Sequence, residues 1–144
     1  KINVLFKIWD TAGKEQFQLE GHKNWISMVA FHPNNVLLAS ASQDKSVKLW
    51  DLNEKKEVAT LGPYTDTVWA VAFSPDGAVL ASGHTIWDAQ TGQELLSLSP
   101  QRNIAGGGVS GQVAFSPDGY RLAVVKSLSN EVTIYDATPL PEKP

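Results

Sequence analysis

One twelve-residue stretch occurs three times in the chain and decides the fold: VAFHPNNVLLAS at 29–40, VAFSPDGAVLAS at 71–82 and VAFSPDGYRLAV at 113–124. The copies align without gaps, and Phe31, Phe73 and Phe115 follow one another at intervals of 42 residues. Each copy contains a short apolar strand, a turn at Pro-Asp-Gly or Pro-Asn-Asn, and a second short strand. The pattern therefore predicts a β-hairpin in every copy.

A third strand follows each hairpin and ends on an aromatic residue and an aspartate, and a turn then leads into a fourth strand. The third strands end at Asp51, Asp88 and Asp136, and an earlier copy ends at Asp10. The fourth strands lie in EQFQLE (15–20), KEVATLG (56–62) and QELLSLS (93–99). No apolar stripe of helical period and length occurs. Four short antiparallel strands per unit predict an all-β protein made of propeller blades.

These residues resemble the WD-repeat β-propeller family. The resemblance rests on Gly21-His22, LASAS at 38–42, Asp44 and Trp50-Asp51, and it covers nearly the whole chain. It implies blades of four antiparallel strands, named a to d, arranged around a channel. From the amino end the strands read c and d, then a to d twice, then a to c. The sequence thus predicts a partial propeller of about three and a quarter blades.

The repeat predicts a single segment over 1–144, and it divides that segment into units: a partial blade at 1–19, a blade at 20–61, a shortened blade at 62–98, an incomplete blade at 99–136 and a tail at 137–144. The third unit is short between Ala81 and Asp88. Either Gly83-His84 forms a tight turn there, or loop residues are missing from the sequence. Because the only methionine is Met28, we expect the chain to be part of a longer one.

The family resemblance also implies a buried polar network in regular blades. The second unit carries the complete set, namely His22, Ser40 (or Ser42), Asp44 and Trp50. These side chains can form a relay of hydrogen bonds that runs from the indole N–H through the hydroxyl and the imidazole to the carboxylate. We therefore expect the four residues to have a structural role, and we expect no catalytic residue. The third unit has Pro63 in the histidine position and lacks the aspartate. The fourth unit has Val124 and Tyr135, so we expect no such network there.

The family resemblance further implies that partners dock on the loops that join strands d to a and b to c. Trp25 and Trp69 lie there outside the Trp-Asp series, and large aromatic side chains dominate binding energy at protein interfaces. The alternative is that both tryptophans fill space between blades. The predicted protein-binding face contains Lys23, Asn24, Trp25, Ser27 and Gln43 from the second unit and Tyr64, Thr65, Asp66, Thr67 and Trp69 from the third.

Composition restricts the remaining classes of function. A net charge of −3 and a pI near 5.5 argue against nucleic acid or an anionic membrane as the main partner. The absence of cysteine weakly favours the cytoplasm, and three histidines without ligand spacing predict neither a metal site nor a cofactor. The DTAG segment at 10–13 resembles that of small GTPases, but no GxxxxGK[ST] loop accompanies it.

We therefore expect a non-enzymatic WD-repeat scaffold that mediates protein–protein interaction through a partner the sequence does not identify. One alternative is a sensor or regulatory part of a larger catalytic protein, such as a kinase or nucleotide hydrolase. Another is a structural unit that assembles with itself. Because the second and fourth units would each present an apolar face, we expect self-association or completion by a longer propeller chain.

Overall fold

The computed structural model describes residues 4–98, 111–125 and 131–137. Thirteen β-strands and no helix occur in these residues. The strands are β1 (Val4–Trp9), β2 (Glu15–His22), β3 (Ile26–Phe31), β4 (Leu37–Ser42), β5 (Val47–Asp51), β6 (Lys56–Leu61), β7 (Val71–Phe73), β8 (Val79–Ser82), β9 (Thr85–Asp88), β10 (Glu94–Ser97), β11 (Gln112–Phe115), β12 (Arg121–Val125) and β13 (Val132–Asp136).

The strands form four antiparallel sheets in chain order. The first sheet pairs β1 with β2, the second has the order β3-β4-β5-β6, the third β7-β8-β9-β10, and the fourth β11-β12-β13. Every neighbour in a sheet is also a neighbour in the chain, so each sheet is a simple meander. The predicted all-β class is confirmed, and among the described residues the first sheet has two strands and the last has three.

The three repeated hairpins share one register. Phe31 pairs with Leu38, Phe73 with Leu80 and Phe115 with Leu122. In the third and fourth sheets the turn contains a glycine at positive φ, Gly77 at 75° and Gly119 at 77°. Glycine adopts this conformation without steric cost, which explains why Asp-Gly ends the turn.

The short third unit closes by the tighter of the two predicted routes. Ser82 pairs with Thr85, so Gly83 and His84 alone connect β8 to β9. Gly83 has a φ of 59° at the first central position, where two-residue hairpin turns favour glycine. The sequence as it stands therefore forms a complete hairpin at this point.

Apolar side chains fill the space between successive sheets. Leu19 and Phe6 of the first sheet pack against Leu38 and Trp50 of the second. The core between the second and third sheets contains Leu49, Leu61, Val68, Val71, Leu80 and Trp87, and that between the third and fourth contains Ala81, Val113, Leu122 and Val124. The four sheets thus pack face to face in a row, and each buries one surface against its neighbour.

Apolar residues are exposed near both ends of this row, namely on β3 of the second sheet, beside the two-stranded first sheet, and on the fourth sheet. On β3 of the second sheet, Val29 and Phe31 are 45% and 59% exposed. On β13 of the fourth sheet, Val132 and Ile134 are 57% and 56% exposed. The first sheet has two strands and the fourth has three among the described residues, so neighbouring strands that would cover these positions are absent there. The division of 1–144 into units stays a prediction, and residues 99–110 and 138–144 lie outside the described residues.

Candidate recognition face and its buried supports

A hydrogen-bonded chain runs through the second sheet to the loop before β3. The Trp50 indole Nε1 donates to Ser40 Oγ at 2.8 Å, Ser40 Oγ lies 2.7 Å from His22 Nε2, and His22 Nδ1 lies 2.8 Å from Asp44 Oδ2. Because an ionised carboxylate only accepts, Nδ1 carries the imidazole proton and Nε2 accepts from Ser40. All donors therefore point one way, from Trp50 towards Asp44.

The alternative hydroxyl of the sequence pattern, Ser42, has a different role. Its Oγ donates to the carbonyl of Asn24 at 3.1 Å and accepts the Asp44 amide at 3.0 Å. Ser40 is thus the member of the relay. Ser42 anchors the loop that follows His22.

Burial sets the charge state of the relay. The His22 side chain is fully buried, and desolvation lowers the pKa of its imidazole despite the neighbouring Asp44 carboxylate. Burial alone would raise the pKa of Asp44, but hydrogen bonds from the Ser46 hydroxyl, the Lys23 amide and His22 outweigh it and lower the pKa. The stable state near neutral pH is therefore a neutral imidazole beside an ionised carboxylate.

The third unit has a separate relay that was not predicted from the sequence. The Trp87 indole donates to Tyr64 Oη at 2.7 Å, and Tyr64 Oη donates to Ser82 Oγ at 3.0 Å. The two rings meet edge to face, with centroids 6.1 Å apart. Tyr64 directly follows Pro63, the residue that aligns with the family histidine, and this proximity was the available sequence signal. In the third unit the phenol thus accepts directly from the indole, as the Ser40 hydroxyl does in the second unit, and donates to a serine.

The phenol of Tyr64 stays neutral over a wide range of pH. Desolvation raises its pKa to about 12, although the hydrogen bonds to Ser82 and Trp87 act in the opposite direction. Tyr64 was predicted as part of the exposed protein-binding face, whereas the structure buries most of this side chain and uses its hydroxyl internally. Tyr64 is half-buried, so its side chain contributes only in part to a surface.

The loop 23–25 is held by its main chain while the Trp25 side chain stays outside. The Lys23 amide donates to Asp44 Oδ2 at 2.8 Å, the Trp25 amide donates to Asn24 Oδ1 at 2.8 Å, and the Trp25 carbonyl accepts from the Gln43 amide at 2.9 Å. The Trp25 side chain is 66% exposed. A fixed backbone with an exposed indole is the arrangement expected of an interface anchor.

The loop 64–69 is attached to the second sheet next to Trp25. The Val68 amide donates to the Ser42 carbonyl at 3.1 Å, and the Val68 carbonyl accepts from Ser27 Oγ at 2.5 Å. Trp69, the next residue, is 44% exposed. Since Gln43 holds Trp25 and Ser42 holds Val68, one turn fixes the backbone at both tryptophan positions.

The other predicted face residues divide between contact and support. Lys23, Ser27, Thr65 and Asp66 are exposed, while Asn24, Gln43 and Thr67 are half-buried. Lys45 was not among the predicted residues. Its Nζ donates to the Thr65 carbonyl at 3.1 Å, and its main-chain carbonyl accepts a hydrogen bond from the Tyr64 amide. The face therefore joins two sheets by several hydrogen bonds. The assignment of these residues to partner binding stays a prediction.

No group of three or more potential metal ligands occurs in residues 4–98, 111–125 and 131–137. No helix in the part of the chain that the structure describes is long and apolar enough to cross a membrane.

Comparison with known proteins identifies similar sequences. A family model described as "WD domain, G-beta repeat" matches residues 13–51 and 55–89. The chain is 34% identical over 141 residues to small ribosomal subunit protein RACK1y of Oryza sativa subsp. japonica, covering 93% of the chain and 40% of that protein. It is 34% identical over 136 residues to small ribosomal subunit protein RACK1 of Neurospora crassa, covering 88% and 40% respectively.

A third relative has a different name. MST50-interacting protein 11 of Pyricularia oryzae is 32% identical over 124 residues, which cover 81% of the chain and 37% of that protein. The chain thus spans about two fifths of the length of these relatives.

Proposed function

The chain belongs to the WD-repeat family, and from this premise we propose that it is a non-enzymatic, protein-binding scaffold segment. The observation that carries the proposal is the pair of exposed indoles, Trp25 and Trp69, on loops whose backbones are fixed by one turn. Rigid aromatic anchors lose little conformational entropy on binding, which favours their use in recognition. Lys23 and Asp66 add charged groups of opposite sign at the border of this face.

The names of the relatives suggest what such a partner could be. Two relatives are named as small ribosomal subunit proteins and one as an interacting protein, so we propose an assembly role in the cytoplasm, with a ribosomal surface as the first partner to test. The second candidate is self-association, favoured by the exposed apolar residues near both ends of the row of sheets. A regulatory part of a larger catalytic protein remains the further alternative.

The test uses a photo-crosslinking amino acid at position 69 and, as a control, at position 95, where Leu95 is similarly exposed on the outer strand β10. Crosslinked partners are identified from an extract that contains small ribosomal subunits. The affinity of the captured partner is then measured for the wild type, Trp69→Ala and Leu95→Ala. We expect Trp69→Ala to weaken binding by about 30-fold, typical of an interface hot spot, and Leu95→Ala by less than about threefold.

The opposite ranking, or equal crosslinking from both positions, would contradict the proposed face. If Trp69→Ala lowers the melting temperature more than it lowers affinity, Trp69 belongs to packing between the sheets. Crosslinks that join two copies of the chain would favour self-association over an external partner.

A further inference from the structure

The two tryptophan-bearing loops of the recognition face are supported by different chemistry. The loop 23–25 is held at its start by Asp44, which also binds His22, and further along by Ser42 and Gln43; of these supports His22 and Asp44 are ionisable. The loop 64–69 depends on Tyr64 and on main-chain bonds to Ser42, with a serine and an indole as the partners of the phenol. The second unit therefore has a support that titrates on the acid side, because the pKa of His22 is lowered, whereas the pKa of Tyr64 in the third unit is raised to about 12.

The coupling between His22 and its loop is direct. His22 is the residue before Lys23, and the same oxygen, Asp44 Oδ2, lies 2.8 Å from both His22 Nδ1 and the Lys23 amide nitrogen. Consecutive residues thus share one carboxylate oxygen, so loss of the imidazole bond removes one of the two bonds that hold the start of the loop on Asp44. Asn24 and Trp25 follow at once in the chain.

A second proton on the imidazole disrupts the one-way relay. Nε2 would become a donor towards Ser40 Oγ, which already accepts from Trp50 Nε1. The Ser40 hydroxyl proton would then lose its acceptor, and Ser40 is completely buried. An unsatisfied buried polar group is costly, so the protonated imidazole is poorly accommodated.

The surrounding charges do not remove this cost. The charged groups that act on His22 are Asp44 and Glu57, which favour the imidazolium, and Lys48, which opposes it. Glu57 is already paired with Lys48 at 2.8 Å. The net direction is a lowered pKa of His22, since desolvation is the largest influence. A swing of the ring into water relieves both the desolvation and the broken relay.

We propose that mild acidification releases the loop 23–25 from its support while the loop 64–69 stays in place, so that Trp25 and Trp69 respond differently to pH. The proposal rests on the proposed function only in treating both residues as parts of one recognition face. The release is a shift between two states of the loop, with the imidazole inserted and neutral or outside and protonated.

The experiment is a 19F NMR titration of the full chain labelled with fluorotryptophan, with resonances assigned by single Trp→Phe variants. On acidification from about pH 7.5, we expect the Trp25 line to shift or broaden with a midpoint below the ordinary imidazole pKa of 6.5, and the Trp69 line to stay in place. In His22→Gln the Trp25 line should no longer respond. The matched control is His84→Gln, in the turn between β8 and β9, which should keep the Trp25 response.

A second measurement needs no variant that could fail to fold. The ring proton–carbon resonances of His22 in the wild type should titrate with the same midpoint as the Trp25 line. The proposal is overturned if both tryptophan lines move together, if neither moves, or if the Trp25 midpoint differs from that of His22. No partner is present in the titration, so its failure is independent of failure in the crosslinking test.

Discussion

Replacing Tyr64 with phenylalanine tests the relay of the third unit, because the change removes one oxygen and little volume. Two buried groups, Trp87 Nε1 and Ser82 Oγ, lose their bond to the phenol at 2.7 and 3.0 Å. Each buried polar group left without a partner costs about 1 to 3 kcal/mol, and removing the desolvated phenol hydroxyl offsets part of the sum. We expect Tyr64→Phe to lower the free energy of unfolding by about 2 to 4 kcal/mol.

The assay is equilibrium denaturation in urea, followed by circular dichroism, with Tyr120→Phe as the matched control. Tyr120 is 47% exposed on the turn before β12, so its loss should change the free energy of unfolding by less than about 0.5 kcal/mol. Equal effects of the two variants would refute the assignment of Tyr64 as a buried relay.

A pH series adds a second criterion for Tyr64. An unfolded phenol ionises near pH 10, whereas the pKa of folded Tyr64 is raised to about 12. Stability from this group is therefore complete below about pH 10 and is lost as the pH rises towards about 12. Two pKa units correspond to about 3 kcal/mol, and Tyr64→Phe should lack this part of the alkaline loss. An unchanged alkaline profile in the variant would contradict the burial of the phenol.

Three other outcomes follow from the contacts of the second unit and the open ends. Asp44→Ala and Trp50→Phe should each lower the free energy of unfolding by about 1 to 3 kcal/mol, since either change leaves a buried member of the relay without its partner. Thermal melts like those of the wild type would mean that the relay is not formed. Gly77→Ala should be about 1 to 3 kcal/mol more destabilising than Gly13→Ala in urea titrations. An added Cβ would lie 2.4 Å from the His32 ring at Gly77, whereas it would have no atom within 4 Å at Gly13, and both glycines have φ near 75–79°. Equal losses of stability would mean that backbone strain alone sets the cost. Light scattering on the isolated chain should show association at micromolar concentration, because the apolar side chains of Phe31 on the second sheet and Ile134 on the fourth sheet are exposed. A folded, cooperative monomer would contradict this expectation.

The repeat predicted the strands well because alternation and turn residues are local signals. Asp76-Gly77 and Asp118-Gly119 mark their turns whatever surrounds them, and the register of each hairpin follows from its turn. The connection in the third unit was not predicted uniquely, since the short spacing between Ala81 and Asp88 fitted either a tight turn at Gly83-His84 or a loop missing from the sequence. The pairing of Ser82 with Thr85 depends on how β8 and β9 align in space, which spacing alone does not fix.

The support by Tyr64 was missed for a different reason. The family pattern places a histidine at Pro63, and proline can offer no side-chain donor. A search limited to aligned positions therefore finds no relay, whereas the neighbouring phenol reaches the same indole and serine groups. The direction in which the loop carries Tyr64 decides this contact, and that direction is a property of the folded backbone.

The exposure of Trp9 shows how the missing strands of the first sheet act on individual side chains. Trp9 lies at the end of β1 before Asp10, as Trp50 lies before Asp51 in β5, yet Trp9 is 53% exposed and Trp50 is 1% exposed. Trp50 is covered by Leu19 and Phe6 of the first sheet and by β4, which pairs with β5 and supplies Ser40 as the acceptor of its indole. The first sheet contains only β1 and β2, so no strand equivalent to β4 lies beside Trp9 among the described residues. The same residue type in the same repeat position is thus a buried relay donor or an exposed indole according to whether its neighbouring strand is present.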